Sequence, residues 1–171
     1  MGHDVGELPE ERRDPLGWDD PLRYLVRAIE EFPAPVIAMI EGGVWGGACE
    51  LAFACDLIIA EPTVTFAVTP ARLGVPYNVS GMLTFLNACS LAIVKEMVFT
   101  AKPITAERAE RLGIVNHTLP AEDCEADITG SSLWAAICAV GSTNGSVDVT
   151  LGKAYASDPK IADEGGGPTP L

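Results

Sequence analysis

Pro35-Val36-Ile37-Ala38-Met39-Ile40 runs through Glu41-Gly42-Gly43 into Val44-Trp45-Gly46-Gly47-Ala48-Cys49-Glu50, and this stretch decides the fold. A β-branched run, adjacent glycines and an Ala/Leu-rich segment predict a strand over 36–40, a tight turn, and a helix over about 48–55. Backbone N–H groups at such a helix start have no intrahelical partner and carry the positive end of the helix dipole. They can hold negative charge that develops on a substrate oxygen. A lone glycine pair also reads as an ordinary bend, so its surroundings must decide.

On the N-terminal side, Asp19-Asp20-Pro21 is a helix start, with carboxylates ahead of the first turn and proline at its first position. Leu22, Leu25, Val26 and Ile29 follow at helical spacing, and Phe32-Pro33 ends the element. On the C-terminal side, Leu57-Ile58-Ile59-Ala60 reads as a buried strand and Val64–Val68 as a weaker one. Residues 69–80 read as a loop, with Asn78 in it, and 81–91 and 92–99 as two helical pieces. Thr105 caps a helix over 106–112 that Gly113 stops, and 114–119 is extended. Alternating strands and helices predict an α/β domain with largely parallel, buried strands.

The chain of 171 residues suits one domain, and 48% apolar with 20% charged residues is an ordinary globular composition. A formal charge of -13 argues against nucleic acid or an anionic membrane as partner. No apolar run approaches a membrane span, because Glu50 and Asp56 interrupt the longest candidate. The acidic start lacks the apolar core of a signal peptide. Cys49, Cys55, Cys89, Cys124 and Cys138 make no C-x-x-C pair and no zinc spacing with His3 or His117. An odd count without a secretory signal suits a reducing cytosol, so the expected location is cytoplasmic and no metal is expected. Beyond about Cys124 the composition turns to glycine, serine and aspartate, which predicts a poorly ordered tail over 124–171 after a domain over 1–123.

Gly2-His3-Asp4, the 41–50 segment, Cys55-Asp56-Leu57-Ile58-Ile59-Ala60, Phe66, Leu73-Gly74-Val75-Pro76-Tyr77-Asn78, Phe99-Thr100-Ala101, Ile104-Thr105-Ala106 and Leu112-Gly113-Ile114-Val115-Asn116 occur in one order. This series resembles the crotonase (enoyl-CoA hydratase/isomerase) superfamily over residues 2–120, and within it the branch that decarboxylates methylmalonyl-CoA. The resemblance implies a crotonase-like (ClpP/crotonase) spiral ββα fold, incomplete at the N-terminus. It implies an acyl-CoA thioester substrate, with coenzyme A as part of that substrate and no separate cofactor.

The family stabilises a thioester enolate with two backbone N–H groups, which fall here on His3 and Gly47. Gly2, Asp4, Trp45 and Gly46 flank them and would line the thioester site. Family hydratases use two glutamates. One falls on Glu50, and the other near Pro70, where this chain has no carboxylate. A hydratase must move protons to and from water, and the second group is absent. Tyr77 matches the decarboxylase pattern. A phenol can hydrogen-bond a departing carboxylate while neutral, where a second glutamate would repel it. The expected reaction is therefore decarboxylation of methylmalonyl-CoA to propionyl-CoA. The alternatives are hydratase/isomerase chemistry through Glu50, or a non-catalytic fragment.

The strands that the family places before Gly-His-Asp, and the helices it places after the Asn116 region, have no match here. A truncated gene model or a shifted reading frame would account for both. Expected consequences are an open sheet edge, weak activity of the chain alone, and poor formation of the family's homotrimer or hexamer.

Overall fold

The computed structural model describes residues 20–120 and 122–123, together with the backbone of residues 135–143 and 146–154. The order is α1 (Pro21–Glu30), β1 (Val36–Trp45), α2 (Gly47–Ala54), β2 (Leu57–Ala60), β3 (Thr65–Ala67), α3 (Pro70–Leu73), α4 (Val79–Ala88), α5 (Leu91–Thr100), β4 (Ile104–Thr105), α6 (Ala106–Arg111), β5 (His117–Thr118), β6 (Ala135–Thr143) and β7 (Ser146–Ala154). Asp20 caps α1, its Oδ1 accepting the Leu22 N–H at 2.9 Å ahead of Pro21. Thr105 caps α6 as its sequence predicts.

The central strand is longer than its apolar run suggests. β1 continues through Glu41-Gly42-Gly43 to Trp45, five residues past the predicted end. Gly42 takes φ +73, a value open to glycine but strained for other residues. Beside it β1 changes neighbours. Ile37–Ile40 pair in parallel with Leu57–Ala60, whereas Gly43–Trp45 pair in parallel with Thr65–Ala67. The sheet runs β4-β3-β1-β2-β5. Pairing is parallel from β1 to β2 and β3 and from β2 to β5, and antiparallel from β3 to β4.

Residues 135–154 hold two strands, where composition predicts poor order. β6 pairs in parallel with β1 from Val36↔Ala136 to Gly42↔Ser142, and β7 returns antiparallel along β6. β6 therefore lies along β1, between it and β7. Ala135-Ala136-Ile137-Cys138-Ala139-Val140 is an apolar run of the kind that strands with a neighbour on each side carry.

Two hydrogen bonds fix the sheet to its connections. The Asp56 carboxylate accepts the Val36 N–H at 2.7 Å, and Asn116 Oδ1 accepts the Ile58 N–H at 2.7 Å. Against one face pack α1, α2, α4 and α5, with Val26, Val44, Leu51, Phe66, Phe85 and Met97 fully buried among them. Among the described residues no helix is long and apolar enough to cross a membrane.

Candidate active site

Gly46 forms the turn between β1 and α2. Its φ of +62 and ψ of -125 lie where residues with a Cβ are strained, and its N–H donates to the Ala67 carbonyl at 2.8 Å. A Cβ there would also stand 3.1 Å from Thr69 Oγ1. Gly47 is the first residue of α2, so its N–H has no acceptor within the helix, and none is found among the described residues. Leu22 of α1 closes over Gly47, and a Cβ would fall 2.8 Å from its Cδ2.

Gly2, His3 and Asp4 lie outside the described residues, so the second amide expected at His3 is not placed. Trp45 ends β1 about half exposed (49%), its indole N–H donating to Thr65 Oγ1 at 3.2 Å. That leaves its ring at the rim of the turn, outside the core.

Glu50 is fully buried in α2 and paired with Arg23 of α1, whose Nη1 donates to Oε1. The sequence reading missed Arg23. Its signal is position, since Arg23 falls with Val26 and Ile29 on the buried stripe of α1, where a cation needs a partner. Burial pushes the Glu50 carboxyl above its ordinary range, while the Arg23 guanidinium opposes that rise. Oε2 has no hydrogen-bond partner of normal geometry among the described residues.

Tyr77 adjoins this carboxylate. Burial, and then the Glu50 charge, push its phenol well above the ordinary tyrosine value. The two groups are hydrogen-bonding neighbours, and among the described residues Oε2 has no partner of normal geometry. The Tyr77 ring meets Phe85 edge-on at 5.3 Å between centroids, and Phe85 meets Phe53 in the same way at 5.4 Å. The phenol is thus seated on the aromatic core while its oxygen stays near the helix pair. Asn78, expected in a loop, is the N-cap of α4.

The structure brings Glu50 and Tyr77 together with Arg23, and sets Gly47 one turn before Glu50 on the same helix. Among the described residues no group of three or more His, Cys, Asp and Glu side chains could hold a metal ion. A cleft of about 380 Å³ opens elsewhere, between Glu30, Asp56, Thr84, Asn87 and Asn116, and includes none of the predicted site residues. Four of its polar side chains are already engaged, Asp56 and Asn116 with backbone N–H groups and Glu30 with the Thr84 hydroxyl at 3.3 Å.

The family model described as Enoyl-CoA hydratase/isomerase matches residues 1–132. Methylmalonyl-CoA decarboxylase of Escherichia coli (strain K12) is 53% identical over 124 residues, which are 72% of this chain and 48% of that protein. Enoyl-CoA hydratase domain-containing protein 2, mitochondrial, of Bos taurus is 35% identical over 57% of this chain and 33% of its own length. A solved structure of methylmalonyl-CoA decarboxylase in complex with 2-nitronate-propionyl-CoA superposes with a TM-score of 0.70 at 52% identity, covering 74% of this chain and 49% of that one. The chain thus spans about half the length of the methylmalonyl-CoA decarboxylases it matches.

Proposed function

The chain belongs to the enoyl-CoA hydratase/isomerase family and carries part of the crotonase α/β fold, and from that premise we propose that it decarboxylates a methylmalonyl-CoA-type thioester. The observation that carries this reading is Tyr77 adjoining a Glu50 carboxylate already tied to Arg23. A buried, ion-paired glutamate is poorly disposed to shuttle protons to water. A phenol held neutral is disposed to donate a hydrogen bond to a carboxylate. Arg23 also offsets the Glu50 charge, so a substrate carboxylate would meet the phenol without a bare anion behind it.

In this reading the thioester oxygen takes the Gly47 N–H, and Tyr77 turns the substrate carboxylate out of the thioester plane. The bond from the α-carbon to the carboxylate then breaks. Its electron pair moves onto the α-carbon and the thioester oxygen, carbon dioxide leaves, and the enolate takes a proton from water. No protein base is consumed. The solved relative bound to 2-nitronate-propionyl-CoA supports the choice of substrate class.

The test is carbon dioxide release from methylmalonyl-CoA, run beside hydration of crotonyl-CoA. Tyr77→Phe removes a hydrogen bond to a charged group, about 1.5–3 kcal/mol, and should lower kcat about 10- to 100-fold. Glu50→Gln, which keeps an acceptor for Arg23, should retain most of the activity. Crotonyl-CoA hydration abolished by Glu50→Gln alone, without decarboxylation, would establish the hydratase reading instead.

A further inference from the structure

Gly81 is the third residue of α4, and backbone conformation does not account for a glycine there. Gly42, Gly46, Gly74 and Gly113 take positive φ, whereas Gly81 does not. At a helical φ, glycine costs about 1 kcal/mol relative to alanine. Space accounts for it. A Cβ on Gly81 would stand 2.9 Å from Tyr77 Cδ1, 2.9 Å from Tyr77 Cε1 and 2.9 Å from Glu50 Oε1, closer than a Cβ comes to other atoms in proteins. Asn78 holds the backbone in this place, its Oδ1 accepting the Gly81 N–H at 2.6 Å and the Ser80 hydroxyl at 2.9 Å.

We propose that Gly81 is a positioning residue for Tyr77. Its bare Cα leaves the gap in which the Tyr77 ring and the Glu50 carboxylate meet, and the Asn78 cap keeps that gap in register. Any side chain at 81 drives the ring off its seat against Phe85 and turns the hydroxyl away from the substrate carboxylate. The inference rests on the proposed role of Tyr77 in decarboxylation, but its geometric half stands apart from turnover.

Gly81→Ala separates this role from a merely structural one, because helix propensity alone predicts a protein at least as stable as the parent. The expected result is a folded variant whose kcat for decarboxylation falls toward that of Tyr77→Phe, about 10- to 100-fold, with KM nearly unchanged. In a Tyr77→Phe background the same substitution should lower kcat no further, since no hydroxyl is left to misplace. The second readout is the phenol titration of Tyr77, taken as an ultraviolet difference against the matching Tyr77→Phe protein. Glu50, Cys49 and Arg23 face this phenol. Displacing the ring should bring its titration down toward the ordinary tyrosine range.

An unchanged titration in folded Gly81→Ala overturns the proposal, as does an equal loss of kcat in the Tyr77→Phe background. If the parent protein does not decarboxylate at all, the functional reading fails and the titration alone decides the role of Gly81. If Gly81→Ala does not fold, Asn78→Ala releases the Gly81 N–H without adding an atom. It should shift the titration and lower kcat in the same direction, with Asn78→Asp restoring both. No shift would overturn the proposal.

Discussion

Replacing Arg23 by methionine strips the Glu50 carboxylate of its counter-ion without opening a large cavity. Both side chains are out of solvent, at 5% and 0% exposure, so water cannot screen the loss. Oε2 already lacks a partner among the described residues, and Oε1 would join it. The buried carboxyl, already raised, then loses the main influence that opposes its rise. Two independent routes give the size of the effect. Removing one member of a buried ion pair costs about 3–5 kcal/mol. Alternatively, the carboxyl takes up a proton on folding. Between an unfolded value of about 4.3 and pH 7 this costs about 1.4 kcal/mol per unit, or roughly 3–4 kcal/mol in all.

The sign follows from proton counts. A carboxyl raised in the folded state binds more protons folded than unfolded, so stability falls as pH rises above the unfolded value. Urea unfolding of Arg23→Met should show a deficit of about 3–4 kcal/mol at pH 7 that shrinks steadily as pH falls toward about 4.5. Arg23→Met/Glu50→Leu should recover most of that deficit at pH 7. A deficit equal at pH 5 and pH 7, or below about 1 kcal/mol at pH 7, would refute the pairing argument.

Gly46→Ala places a Cβ at φ +62 and ψ -125 and within 3.1 Å of Thr69 Oγ1, so it should lower stability by about 1–3 kcal/mol in thermal unfolding. It should also weaken decarboxylation more than substrate binding, because the adjacent Gly47 N–H is re-aimed. Asn116→Ala leaves the Ile58 N–H of β2 without its acceptor at 2.7 Å, and should cost about 1–3 kcal/mol in urea unfolding while leaving KM unchanged.

How much of this was legible depends on which residues carried the signal. The turn at Gly46-Gly47 was plain, because a β-branched run and a helix-forming segment enclose it. The last five residues of β1 were not, since Glu41-Gly42-Gly43 breaks the apolar pattern just where the strand exchanges one neighbour for another. Tyr77 stands out by its place in an ordered series. Its support does not, because nothing local says that Arg23 meets Glu50 across 27 residues or that Gly81 is empty for the sake of a ring. Asn78 was hidden by its setting among turn-forming residues, which suit a cap equally well. For β7 a signal existed in Val147, Val149 and Leu151, which alternate at strand spacing, but the surrounding glycine and serine outweighed it.

The parallel pairing of β6 with β1 has a temporal side. β1 acquires β2 almost as soon as α2 is made, but residues 36–42 find their second neighbour only beyond α6, with Val36 waiting for Ala136. A nascent chain therefore carries this stretch of its central strand paired on one side only until residues 135–143 have been synthesised. Closing so long a loop slows folding, and an unmatched strand edge invites pairing with other chains in the interval. Recovery of soluble protein should thus depend on how quickly residues 135–143 arrive, and a pause in translation ahead of them would favour aggregation.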